Sequence, residues 1–174
     1  VFSDQRKINS VKPLNITVLK GGPSSERPIS LKSAEAVADA LRNGGHKVEE
    51  IDIKDFSLPP IAKDCDLIFP VLHGEFGEDG QVQKLIEEQG FPYVGCDIKS
   101  SQLCIDKDAT VCELRKVGLP VCESIVLRSK EELIPSNITL PVVVKPNRQG
   151  SSICLSLVEK EEDLEKAIQL AFEN

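Results

Sequence analysis

Side chains able to do chemistry gather at three places along the chain. The longest is Asp66-Leu-Ile-Phe-Pro-Val-Leu-His73-Gly-Glu-Phe-Gly-Glu78-Asp79-Gly80, where an apolar run ends in an imidazole, three carboxylates and three glycines. In open α/β sheets small polar ligands bind beyond the carboxyl ends of the strands, so this transition is a place for one. The plain alternative is a glycine-rich turn carrying a surface histidine. Upstream, Lys20-Gly-Gly-Pro-Ser-Ser-Glu26-Arg-Pro28 follows another apolar run. Its glycines permit close backbone approach to a ligand, and the next helix start offers unpaired N–H groups to an anion. Glu26 opposes that use: a carboxylate there suits an ammonium group or the orienting of another side chain. Ser24, Ser25 and Ser30 each read as simple helix caps. Downstream, Lys145-Pro-Asn-Arg148-Gln-Gly150-Ser151-Ser152 sets an ammonium, a glycine and two hydroxyls in a turn after an apolar strand. That composition can wrap phosphate oxygens, as a strand-loop-strand glycine flap does in kinases; an exposed hairpin with a snorkelling lysine is the alternative. Neither a Walker motif nor a Gly-x-Gly-x-x-Gly fingerprint is present.

Positioning these groups requires strands. Leu14 to Leu19 is a short β-rich run, and Ile29, Ala34, Val37, Ala38 and Leu41 recur at helical spacing until Gly44-Gly45. Lys47 to Ile53 alternates as a second strand, and Asp55 to Lys63 connects to the third at Leu67 to Leu72. Val82, Leu85 and Ile86 mark a helix closed by Gly90. This β-α-β-β-α order predicts an α/β fold with a doubly wound, mainly parallel sheet, and sets the Glu26 and His73 loops at one crevice. Phe91 to Val94 then reads as a strand, Gly95 to Leu103 as a loop with a helical turn, and Asp106 as the N-cap of a helix ending at Gly118-Leu-Pro120. We place a domain boundary just before Asp106. Val121 to Leu127, Leu140 to Lys145 and Ile153 to Val158 read as strands, the last two as a hairpin, followed by an amphipathic helix through Leu164, Ala167, Ile168 and Ala171.

The 174 residues suffice for one domain, or one and part of another. A net charge of −7 and a pI near 5.0 argue against nucleic-acid or anionic-membrane partners, and one tyrosine with no tryptophan gives no base-stacking platform. No apolar run is long enough for a membrane span and no signal peptide opens the chain, so it reads as cytoplasmic. The six cysteines show no metal spacing and read as reduced, mostly buried small hydrophobes. With no methionine, a polar stretch at 1–13 and a helix still running near Asn174, the chain reads as a fragment whose first residues are a leader or the end of an upstream domain.

Leu19-Lys-Gly-Gly-Pro-Ser-Ser-Glu26-Arg-Pro-Ile-Ser-Leu31, Leu72-His73-Gly-Glu-Phe-Gly-Glu-Asp-Gly80, Tyr93-Val-Gly95, Asp106-Lys107 and Val144-Lys145-Pro-Asn-Arg-Gln-Gly-Ser151-Ser152 follow one another in order. Together they resemble the D-alanine:D-alanine ligase family of the ATP-grasp superfamily, from Leu14 to the end. The resemblance implies an N-terminal α/β substrate-binding domain at 14–105, then the first part of an ATP-grasp central α+β domain at 106–174. It implies ATP- and Mg²⁺-dependent joining of two D-alanines through an acyl phosphate, for peptidoglycan precursor synthesis. By the same resemblance Glu26 and His73 hold the first D-alanine, and Lys107, Lys145, Gly150, Ser151 and Ser152 bind nucleotide. Ser151 and Glu26 take the catalytic roles, coupling when the site closes. The family's metal ligands and second-substrate loop belong downstream of Asn174, so no residue here is assigned to metal, and the chain alone is expected to be inactive. A homodimer is a further implication of the resemblance, and the stretch at 1–13, read as the end of an upstream domain, suggests a fusion to another cell-wall enzyme. The rivals are a D-alanine:D-lactate or D-alanine:D-serine ligase and a non-catalytic amino-acid or nucleotide-binding relative. Lys20 in place of an apolar residue, Gln149 in place of glutamate, and Ile153-Cys154 in place of Val-Gly depart from the family pattern.

Overall fold

Strand β1 (Asn15–Gly21) lies at the centre of a parallel sheet, between β2 (Lys47–Ile53) and β3 (Leu67–Pro70), in a computed structural model that describes residues 12–135 and 138–173. Register runs Asn15 to Lys47 through Gly21 to Ile53 on one side, and Ile16 to Leu67 through Leu19 to Pro70 on the other. Burial on both faces explains why Ile16 through Leu19 of β1 are all buried, Thr17 among them. Ile16 and Val18 pack with Ala34 and Ala38 of helix α1 (Arg27–Asn43), while Leu19 packs with Ile53, Ile68, Val82 and Ile86 on the opposite face. Val82 and Ile86 come from helix α2 (Gln81–Glu88), so helices cover both faces and the expected doubly wound arrangement is present.

The chain divides into two compact units. The first comprises residues up to Gly77 with Gln81–Gly95; the second comprises Glu78–Gly80 with the chain from Cys96 onward. In the second, α3 (Ile98–Ile105) precedes α4 (Lys107–Lys116), and β4 (Val142–Val144) pairs antiparallel with β5 (Ser156–Val158). A 3-10 turn at Glu161–Asp163 leads into α5 (Leu164–Phe172), whose Ala167 and Ile168 are buried. Asp106 caps α4 as expected, accepting the Ala109 N–H at 3.0 Å.

Several expectations are corrected. Phe91 to Val94 is no strand: only Tyr93 bridges to Ile68, because Pro92 brings no N–H to a ladder. Gly95 to Leu103 holds most of helix α3, which runs on to Ile105 and is started by the Asp97 side chain accepting the Ser100 N–H at 2.7 Å. Val121 to Leu127 is irregular and mostly exposed; β-rich composition alone does not make a strand without a paired neighbour. Strand β5 begins at Ser156 rather than Ile153 because Ser151, Ser152 and Cys154 adopt positive φ, which breaks a ladder. The cysteines are free but not mostly buried: Cys65 and Cys154 are half-buried and the other four exposed. Their apolar sequence neighbours misled, since α4 buries no residue at all. Among the described residues no helix is long and apolar enough to cross a membrane. The stretch read as a leader lies outside the described residues except for Lys12 and Pro13.

Candidate functional site

Beyond Gly21 the first unit brings together the loops that follow β1 and β3. Arg27, in the first turn of α1, lies across the exit of β1: its Nη1 donates to the Ile53 carbonyl at 2.6 Å and its Nη2 to both Asp52 oxygens at 2.8 and 2.9 Å. Gly21, at φ +85°, has no room for a Cβ because the Arg27 guanidinium and the Asp52 carboxylate occupy that space. The Ser30 hydroxyl is fully buried, accepts the Gly21 N–H at 2.8 Å and donates to the Val71 carbonyl, so it braces the ends of β1 and β3.

Glu26 is 9% exposed and stands immediately before α1, where its carbonyl accepts the Ile29 and Ser30 N–H groups at 2.9 and 3.1 Å. His73 is half-buried at the end of the β3 run. Between them the Ser24 hydroxyl donates to the His73 carbonyl at 2.6 Å and accepts the Glu26 N–H at 3.2 Å. Gly74 has φ +69°, and a Cβ there would lie 2.7 Å from Glu26 Oε2 and 3.3 Å from Ser24 Oγ. A buried carboxylate and a hydroxyl therefore meet beside the His73 backbone at the carboxyl edge of a parallel sheet. A carboxylate held there suits the ammonium of a small amino acid.

In the second unit the connection from Lys145 to Leu155 is anchored at its start. The Asn147 side chain donates to Asp106 Oδ1 at 2.8 Å and accepts the Asp108 N–H at 2.9 Å. Lys107 donates its ammonium to the carbonyls of Asn147 and Gln149 at 3.0 and 2.7 Å. Burial, and then the neighbouring Lys145 ammonium, hold the Lys107 pKa below the ordinary lysine value. Two cations thus share one region, which favours an anionic ligand. Past the anchor, Gly150 is half-buried while Ser151 and Ser152 are exposed, at φ +50° and +59°.

The sequence-derived residues fall into two groups, each within its own unit. Glu26 and His73 lie together in the first; Lys107, Lys145, Gly150, Ser151 and Ser152 belong to the second. Cap assignments for Ser24 and Ser30 are overturned, since α1 has no side-chain cap bond and both hydroxyls reach the β3 end instead. Asn147 and Arg27 received no role from the sequence. Arg27 left a trace, a cation in a first helical turn where the helix dipole disfavours it. Asn147 left none, because its partners lie some forty residues away in sequence. Lys20, the odd residue in an apolar position, pairs with Glu50 on the adjacent strand at 2.7 Å.

Residues 55–96 match the family model for the D-ala D-ala ligase N-terminus, and 114–174 that for the D-ala D-ala ligase C-terminus. The chain is 40% identical over 167 residues to the D-alanine--D-alanine ligase of Actinobacillus pleuropneumoniae serotype 5b, covering 93% of this chain and 55% of that protein. It superposes on the D-alanine--D-alanine ligase of Bacillus anthracis complexed with ATP with TM-score 0.80 and 32% identity, covering 92% of this chain and 55% of that one. With the VanG D-Ala:D-Ser ligase of Enterococcus faecalis the TM-score is 0.77 at 32% identity, over 94% and 60% of the two chains. The chain belongs to the D-alanine--D-alanine ligase family, within the ATP-grasp superfamily. It spans about 55% of the length of the curated relative it matches.

Proposed function

We propose that the full-length protein joins two D-alanines into D-alanyl-D-alanine at the expense of ATP, in the cytoplasm, as a step of peptidoglycan precursor synthesis. The observation that carries this reading is the buried Glu26 carboxylate packed on Gly74 beside His73, in a chain that also holds the Lys107 and Lys145 loop. Glu26 and His73 bind the first D-alanine, the carboxylate facing its ammonium. Lys107, Lys145, Gly150, Ser151 and Ser152 would hold ATP, which supplies the phosphoryl group that activates the first substrate's carboxylate. The lysines offset the phosphate charge, and Ser151 serves catalysis with Glu26. Mg²⁺ belongs to this reading, but among the described residues no cluster of acidic, histidine or cysteine side chains fits a metal ion, so no step here is assigned to one.

The second reading, a D-alanine:D-serine ligase, is favoured by the likeness to VanG. The test is ATP-dependent phosphate release by the full-length protein with Mg²⁺ and D-alanine, L-alanine, or D-alanine together with D-serine, with the products identified by mass. Release with D-alanine alone and a dipeptide product supports the first reading; a mixed D-alanyl-D-serine product supports the second. Binding of D-alanine without any phosphate release refutes both.

A further inference from the structure

We propose that Ser24 is the positioning residue of the amino-acid site, holding Glu26 and His73 to one another through a single hydroxyl. This inference rests on the reading of that site given above. A serine hydroxyl has one donor and two acceptor lone pairs. Ser24 commits the donor to the His73 carbonyl at 2.6 Å and one lone pair to the Glu26 N–H at 3.2 Å. Those partners come from loops after different strands, and Ser24 and His73 are 49 positions apart in sequence. The His73 leg of the bridge is therefore tertiary, while the Glu26 leg lies within the loop that holds Ser24.

Three features separate this role from general support. The hydroxyl points at the same small space as the Glu26 carboxylate, since a Cβ on Gly74 would meet both. Its neighbour Ser25 is exposed and forms the natural control. Ser30 also ties the two strand ends, but through Gly21 and Val71, so it supports the sheet edge without touching Glu26 or His73 through its hydroxyl. Losing the Ser24 bridge removes one tie between the Glu26 loop and the His73 loop and loosens their mutual position. The carboxylate and imidazole then no longer present one fixed geometry to the ligand, and a misplacement of about 1 Å weakens recognition strongly.

The test measures D-alanine and ATP kinetics in the full-length protein carrying Ser24→Ala, Ser24→Cys, Ser24→Thr, Ser25→Ala or Glu26→Gln, with melting temperature recorded for each. Ser24→Ala is expected to raise the D-alanine KM about tenfold, equivalent to about 1.4 kcal/mol, with the ATP KM unchanged within twofold. Ser24→Thr keeps the hydroxyl and restores the D-alanine KM to within about threefold. Ser24→Cys, near in shape but a weak donor, raises it in the same direction as alanine and serves if Ser24→Ala does not fold. Ser25→Ala behaves as wild type. A wild-type D-alanine KM in Ser24→Ala or Ser24→Cys, alongside a raised one in Glu26→Gln, overturns the inference and leaves the site reading intact. An unchanged KM in Glu26→Gln removes the site reading, and this inference with it.

Discussion

Asn147 is the residue whose replacement should do most to the lysine-bearing loop. Asn147→Ala deletes two bonds and leaves the rest of the anchor in place: the Asn147 carbonyl still accepts the Lys107 N–H and ammonium at 3.2 and 3.0 Å. The bond to Asp106 is charge-assisted and the bond from Asp108 N–H is neutral. Such bonds contribute about 1.5–3 and 0.5–1.5 kcal/mol respectively. All three residues are half-buried, so water recovers part of the loss. A net destabilisation of about 2 kcal/mol, confined to the second unit, follows from taking the low end of each range. Because the chain forms two units, a single melting curve blurs this, and amide exchange at Asp108 and Ala109 is the better readout. The Asp106 carboxyl supplies a second one. It lies below the usual aspartate range first because of the Ala109 N–H and then because of the Asn147 amide, so Asn147→Ala should raise its pKa. Asn147→Asp sharpens the case by placing a second carboxylate against Asp106. It should be worse than alanine at neutral pH and recover on acidification, as one of the pair takes a proton. Asn147→Asp with wild-type exchange at pH 7 and an unmoved Asp106 titration would refute the anchoring argument.

Ser30→Ala strips partners from the Gly21 N–H and the Val71 carbonyl around a hydroxyl with no solvent exposure, and should cost about 2–4 kcal/mol in denaturant unfolding of the first unit. Gly74→Ala combines a left-handed φ with a Cβ 2.7 Å from the Glu26 carboxylate; D-alanine binding, followed by calorimetry in the full-length protein, should fall at least tenfold. Glu50 has its pKa lowered first by the Lys20 hydrogen bond and then by Arg42. Its stabilisation is complete above the ordinary glutamate range and is lost as pH falls through the depressed folded-state value, so Lys20→Leu should flatten the acid limb of the stability curve below about pH 4.5. Cys154 sits at φ +53°, where glycine is at ease; Cys154→Gly should leave melting within about 1 kcal/mol of wild type, the relief of backbone strain offsetting the added unfolded-state freedom.

The first unit was far more legible in the sequence than the second, and the reason is its core. Strand β2 matches the alternating run from Lys47 to Ile53, because at the edge of the sheet Val48, Ile51 and Ile53 pack against the core clusters while Lys47 and Glu49 stay exposed. In the second unit the strands are short, and α4 buries nothing, so apolar residues such as Val121 and Ile125 carried little information about pairing. Glu26 and His73 were readable as a pair because strand-end loops of a parallel sheet share one edge. Their connection was not readable: a serine ahead of a helix looks like a cap whether its hydroxyl turns to its own helix or to a carbonyl 49 positions away. The glycines helped only in part, since Gly74 signalled a turn but not that the space of its missing side chain belongs to Glu26.

The central position of β1 also sets an order of events during synthesis. Both of its partners, β2 and β3, follow it in the chain, so at roughly 5–20 residues per second the strand waits for seconds before its second neighbour is made. Helix α1 arrives first and covers Ile16 and Val18 through Ala34 and Ala38. Leu19 stays uncovered until Val82 and Ile86 of α2 appear. A chain arrested between Ile53 and Leu67 therefore presents one bare face and one unpaired edge of its central strand, which makes that interval the natural window for chaperone capture and for aggregation.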